Sequence, residues 1–269
     1  LELGLVIPVV RIRDNIALQP NEYRLKIKGN EVAKGELLLD HFLAMSPTGE
    51  DDQIEGIDTI EPSFGLPAKW IPESQKDQAE MLGYTVVDPA SVVSTHITEQ
   101  VKKHAHELIG RQETKQLIDH LKESYPVLVE EVSPNPLSVG DIQKVLAKLL
   151  KEKVSIRNLV TIFETLADYG KLTTDSDMLT EYVRQALAKQ ITAQYAKENE
   201  TLKVVTCSGR VEKAVAEGIQ QTEHGNFLSL EPTLSENIIQ SVAREIEQLS
   251  LRQEVPILLC SPPVRMYVK

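Results

Sequence analysis

Apolar and polar positions alternate over the first forty residues, then settle into helical spacing, then switch once more to short mixed segments. Residues 1–40 read as β structure. VIPVVRIR (6–13) is strand-like, and EYRLKIKGNEVAKGELLL alternates around Leu25, Ile27 and Val32, with Gly29–Asn30 supplying a turn. SPTGEDDQ (46–53) is loop-like and acidic. PESQKDQAEMLG (72–83) predicts a short helix between Pro72 and Gly83, and YTVVD (84–88) another strand. Over residues 89–110, Val92, Val93, Ile97, Val101 and Leu108 recur at near-helical spacing, with Pro89 at the start and Gly110 as terminator.

From residue 111 the texture is helical. Ile142, Val145, Leu146, Leu149 and Leu150 form one stripe, and Ser138 is placed to cap it. Ser155 is placed to cap a second helix through Ile156, Leu159, Ile162, Phe163 and Leu166. Asp175 or Ser176 is placed to cap a third through Leu179, Tyr182, Val183, Ala186 and Leu187. Beyond Ala196 the order becomes strand, turn, helix (LKVVTCSGRVEKAVAEGI), then a helix (SENIIQSVAREIEQLS), then strand, turn and the start of a helix (VPILLCSPPVRMYVK). Such alternation predicts a small α/β layer with at least one parallel crossover. The whole reads as an α+β and α/β multidomain chain.

Length supports that division, because single cores stop growing at roughly 250–300 residues. Aromatics make up only 4% of the 269 residues, so the cores must be built mainly from Leu, Val and Ile. A net charge of −11 speaks against nucleic acid, where affinity comes from Lys and Arg clusters, and against an anionic membrane surface. Cys207 and Cys260 form no CxxC, which excludes a disulfide scaffold and fits a reducing compartment. The longest apolar run, LGLVIPVV (3–10), is interrupted by Gly4 and Pro8 and is far too short to span a bilayer. The chain begins with Leu and carries no signal-peptide pattern, so a piece of a longer protein is expected.

Candidate chemistry is thin. CSPPVR resembles the phosphate loop of cysteine phosphatases, but Pro262 and Pro263 lack the N–H groups that such a loop aims at an anion. The Cys-to-Arg separation is also wrong after both Cys207 and Cys260. Inert thiols at strand ends are the expected reading. His104 and His106 point about 200° apart on a helix and cannot share an ion; they, His96 and His120 are expected on a solvated face. Asp51–Asp52, Glu130–Glu131, Glu164 and Asp168 read as solvated charge. There is no Walker lysine, GxGxxG or GxSxG, and nothing supports an enzyme or a cofactor.

The unusual stretch is IEPSFGLPAKWIPESQ (60–75). It holds the single Trp and one of four Phe in a segment broken by Pro62, Gly65, Pro67 and Pro72. Large aromatics belong in cores, whereas Pro- and Gly-rich segments run over surfaces. Phe64 and Trp70 are therefore a satellite core, or one packs down while the other lines an apolar dimple for a partner.

EPSFGLPAKWI, GYTVVDPASVVSTHITEQVKKHAHELIGRQETKQLID, LLKEKVSIRNLVTIFETLAD and LLCSPPVRMYVK, in that order, resemble the cytoplasmic region of the flagellar type III export-gate family, FlhA and its injectisome relatives. The resemblance implies four subdomains: residues 1–39 with 89–108, an inserted 40–88, a helical 109–188, and an incomplete α/β segment 189–269. It implies a soluble region at the cytoplasmic face of the membrane, hung from a membrane part absent here and assembled as a nine-membered ring. It also implies docking of chaperone–substrate complexes and contacts with other export components, without catalysis, cofactor or metal. The family's docking dimple between the first two subdomains maps onto Glu61, Phe64 and Thr95, with Glu61 standing where Asp is common. An upstream Ile also belongs to it, and Ile54, Ile57 and Ile60 are all eligible. Trp70 is then structural. Two rivals remain: a purely architectural ring element, and a nucleotide- or phosphate-binding module near Cys207 and Cys260.

Overall fold

A computed structural model describes residues 2–49, 53–196, 201–223 and 225–269. Part of the acidic loop expected at 46–53, including Asp51–Asp52, lies outside the described residues. The chain divides into two compact units, one of residues 1–129 and 137–159, the other of residues 130–136 and 160–269.

In the first unit, β1 (Glu22–Ile27) pairs antiparallel with β2 (Asn30–Glu36). Lys28 and Gly29 are both left-handed, at φ 50° and 85°, so the tight turn sits one residue earlier than Gly29–Asn30. Consecutive positive φ angles match the twist of a two-residue hairpin, and Gly accepts them without strain. Strands β3 (His41–Met45), β4 (Ile57–Ile60), β5 (Pro67–Pro72) and β6 (Thr85–Val87) form an antiparallel sheet in the order β4-β5-β3-β6. Helix α1 (Lys76–Met81) follows a 3-10 turn at Glu73–Gln75, close to the predicted helix.

Strand alternation sends neighbouring residues to opposite faces, and both faces of this sheet are covered. Ala44 and Ile71 pack with Ile54, Ala79 and Tyr84. Leu43, Ala68 and Trp70 pack with Val92 of α2 (Pro89–Lys103). Trp70 is 3% exposed, a core residue as the family resemblance implies. Asp88 caps α2 by accepting the Ser91 N–H at 2.9 Å, with Pro89 in the first turn.

The helix predicted across 89–110 is broken. It stops at Lys103, and α3 (Ala105–Leu108) follows His104. Gly110 does not terminate it but precedes α4 (Arg111–Ser124), where its N–H donates to Glu113 Oε2 at 2.9 Å. Helix α5 (Pro126–Val132) leads toward α6 (Val139–Lys151), which is capped as its sequence predicts: Ser138 Oγ accepts the Asp141 N–H and Asp141 Oδ2 accepts the Ser138 N–H. The α6 stripe from Ile142 to Leu150 is fully buried and α6 packs on α3 and α4; each such side chain stabilises by roughly 1.5–3 kcal/mol.

Two further expectations fail for one reason. VIPVVRIR forms no strand and has no ladder partner among the described residues, leaving Val9 86% and Ile12 92% exposed. Ser155 does not cap the predicted helix, which starts only at Leu159; its Oγ accepts the Arg157 N–H at 3.3 Å and donates to the Glu2 carbonyl at 3.0 Å, beside an Ile156 N–H bond to Leu3. β propensity and capping potential are local, whereas pairing requires a neighbour that local pattern does not specify.

In the second unit, α7 (Leu159–Tyr169) buries Ile162, Phe163 and Leu166, and α8 (Ser176–Ala186) starts at an Asp175 cap. Tyr169 and Tyr182 stack 3.9 Å apart. After α9 (Ala188–Ala193) come β7 (Val205–Thr206) and α10 (Gly209–Glu217), whose cap is Ser208. An unpredicted hairpin, β8 (Ile219–Thr222) with β9 (Gly225–Leu228), precedes α11 (Pro232–Leu251). Strand β10 (Leu258–Leu259) lies parallel to β7, which is the predicted crossover, and α12 (Pro262–Val268) follows and packs on α10. No described helix is long and apolar enough to cross a membrane.

Candidate functional site

The connection between β4 and β5 is where chain chemistry and exposure diverge most. Ile60 pairs with Pro67, and within that pair the Glu61 N–H donates to the Leu66 carbonyl at 2.8 Å. The Gly65 N–H closes the loop on the Glu61 carbonyl at 2.9 Å, with Gly65 left-handed at φ 70°. The Glu61 side chain then folds under its own turn. Its Oε1 accepts the Ser63 N–H at 2.9 Å and its Oε2 the Phe64 N–H at 2.7 Å. Bonds to a charged acceptor are about twice as strong as neutral ones, and these two occupy both oxygens of a carboxylate that is 4% exposed. Glu61 is therefore a backbone-holding residue despite its longer reach than Asp.

The turn so fixed presents Phe64 outward. Its side chain is 61% exposed, and Ile60 and Leu66 beside it are also exposed. Of the two aromatics in this stretch, Trp70 packs down and Phe64 does not. Ile54 is buried in the sheet core, which leaves Ile57 and Ile60 on the surface, and Ile60 adjoins the turn.

Behind the turn lies a polar cluster that sequence reasoning missed. His96 on α2 is 2% exposed, and its Nδ1 lies 2.7 Å from Tyr23 Oη of β1, the rings meeting edge to face. This corrects the expectation of a solvated histidine face. Burial lowers the His96 pKa from its ordinary 6.5, and the Glu61 charge pulls it back up. Burial and then the same charge push the Tyr23 hydroxyl up to about 12. His96 is thus held toward the neutral imidazole, buried against Tyr23 of the strand hairpin. The signal was present: His96 follows Val92 by four residues, on the buried face of α2. Thr95 is its immediate neighbour in the helix and is exposed. Glu61 and Phe64 are joined by a direct hydrogen bond in the β4–β5 turn, and Thr95 stands exposed on α2 beside His96.

The other candidates resolve quietly. His104 Nδ1 pairs with Glu107 Oε1 at 2.8 Å, and His120 is exposed beside Glu123. Among the described residues no three His, Cys, Asp or Glu side chains are grouped to hold a metal. Arg265 of the CSPPVR stretch is engaged by both oxygens of Glu181, at 2.8 and 2.9 Å.

Comparison with known proteins bears on the whole chain. The family model described as FHIPEP matches residues 1–269. The flagellar biosynthesis protein FlhA of Bacillus subtilis (strain 168) is 88% identical over 269 residues, covering 100% of this chain and 40% of that protein. The chain therefore spans about two fifths of that relative's length. Among solved structures, nonameric EPEC SctV-C matches with a TM-score of 0.67 at 26% identity, over 96% of this chain and 85% of the other. The complex of Chlamydia pneumoniae CdsV and CdsO matches with a TM-score of 0.80 at 25% identity, over 99% of this chain and 77% of the other.

Proposed function

The chain belongs to the FHIPEP family, and from that premise we propose that it serves a type III protein export gate as a docking platform. It receives export chaperone–substrate complexes at the Phe64 turn and contributes one subunit to a ring at the cytoplasmic face of the membrane. The similarity to a nonameric assembly supports the ring, and the similarity to a two-protein complex supports contact with other export components. The inserted subdomain proposed at 40–88 is supported by a sheet whose four strands all fall between His41 and Val87.

One observation carries the docking proposal: an aromatic left 61% exposed on a turn that two charge-assisted bonds hold shut. An apolar side chain presented on a rigid loop loses little freedom on binding, so most of its burial appears as affinity. Phe64 with Ile60 forms the apolar floor, and Thr95 on α2 supplies a hydrogen-bonding wall. No bond is made or broken there. A partner helix laid along such a surface needs only an apolar anchor and a few polar contacts.

The test is titration of a purified chaperone–substrate complex against the wild-type chain and its Phe64→Ala and Thr95→Ala variants. Phe64→Ala should weaken binding by about 2 kcal/mol or more, roughly thirtyfold, with the fold intact. Unchanged affinity in a folded Phe64→Ala protein removes the turn from the site. Variants that lose docking yet still assemble exclude a purely architectural role.

A further inference from the structure

We propose that Cys207 and Cys260 are an opposed thiol pair that closes to an intrachain disulfide on exchange with a low-molecular-weight disulfide. Strands β7 and β10 are parallel, with Val205 opposite Leu258 and Thr206 opposite Leu259. The ladder continues one step further, because the Val205 N–H donates to Ile257 O at 2.8 Å and the Cys207 N–H to Leu259 O at 3.1 Å. The next opposed pair is therefore Cys207 with Cys260.

Opposed residues of parallel strands project to the same face, at the interstrand spacing of about 4.8 Å, which falls within the Cα range of disulfides. Exposure alternates in step along both strands: Val205 and Cys207 are half-buried around exposed Thr206, and Leu258 and Cys260 around exposed Leu259. Both thiols are free. Cys260 also lines an open cavity of about 200 Å³, together with Arg184, Gln185 and Arg265, which admits a small reagent. Each thiol taken alone is the inert strand-end cysteine its sequence suggests, and it is the pairing that supplies a reaction.

The Cys260 thiolate attacks one sulfur of the reagent, forming a mixed disulfide and releasing one thiolate. The Cys207 thiolate attacks the Cys260 sulfur, forming the Cys207–Cys260 bond and expelling the second. The protein gives up two electrons and two protons, and the reagent is reduced to two thiols. Burial holds both thiols above their ordinary pKa of 9.0. The first attack is therefore slow near neutrality and faster in mild alkali. The bond would link the two strand ends from which α10 and α12 begin.

The experiment exposes the native chain to oxidised glutathione in mild alkali and reads intact mass, thiol titre and peptide map. The expected product has lost two hydrogen atoms and both titratable thiols, and yields one cross-linked peptide containing Cys207 and Cys260, with glutathione adducts a minor species. Cys207→Ser and Cys207→Ala should both stop at a glutathione adduct on Cys260, whichever of them folds better. In urea, where the strands no longer hold the pair together, adducts on both cysteines should accumulate. Stable adducts on both cysteines of the native chain overturn the proposal, as does a native chain that keeps both thiols while the unfolded chain reacts.

Discussion

Two glutamates hold Pro-flanked turns by the same chemistry in the two units, with opposite results. Glu61 accepts the N–H groups of Ser63 and Phe64, its own near neighbours, and the turn lifts Phe64 into solvent. Glu212 on α10 accepts the N–H of Ser261 at 2.7 Å, across a sequence separation of 49, and the turn drives Val264 into the core at 2% exposure. A carboxylate fixes a backbone equally well in either setting. What differs is where the acid comes from. A local acid closes a small ring and leaves the loop's outer face free, whereas a distant acid ties two elements together and consumes the surface between them. The first arrangement presents a residue, and the second anchors a helix.

The largest break in this comparison should come from Glu61→Ala. Two part-buried charge-assisted bonds vanish and two N–H groups lose their acceptor, which costs about 3 kcal/mol. Urea denaturation and chaperone titration should both register it, because the same two bonds hold the turn that is proposed to dock. Glu212→Ala removes one bond at a half-buried site, for about 1–2 kcal/mol in urea denaturation, and should leave docking untouched. Equal losses of docking in both variants would erase the distinction between presenting and anchoring.

Glu61→Asp sharpens the point at smaller cost. An Asp side chain bonds N–H groups two residues on with ease, so the change should stay within about 1 kcal/mol in stability and retain docking. The smallest effect is a pH dependence behind the turn. Burial lowers the folded-state pKa of His96 below its unfolded value, so the unfolded chain binds more protons on the acid side. Stability is therefore full above about pH 7 and falls as pH drops through the unfolded and then the folded pKa. Thermal melts between about pH 7 and 5 should show that slope in the wild type. In His96→Gln, where the side chain does not titrate, the slope should be flatter.

Much of this was legible along the chain because its causes are local. The Ser138 and Asp175 caps and the buried stripe from Ile142 to Leu150 each depend on residues within a few positions of one another. The errors share a different origin. Gly110 reads as a terminator only while the next helix is ignored, and Ser155 accepts an N–H two residues on, from Arg157, short of the helix that starts at Leu159. His96 differs from the other histidines in a local way, because its spacing from Val92 already marks the buried face of α2.

Sequence by itself determined the α6 stripe, the Ser138 and Asp175 caps, the parallel crossover and the oddity of an aromatic pair in a Pro-broken segment, since propensity, capping and periodicity act over a few residues. Tertiary structure decided which aromatic and which isoleucine were buried, that Tyr23 met His96, and that Cys207 stood opposite Cys260. Those outcomes depend on register between strands far apart in the chain, and register is set by how whole faces pack, which no local pattern contains.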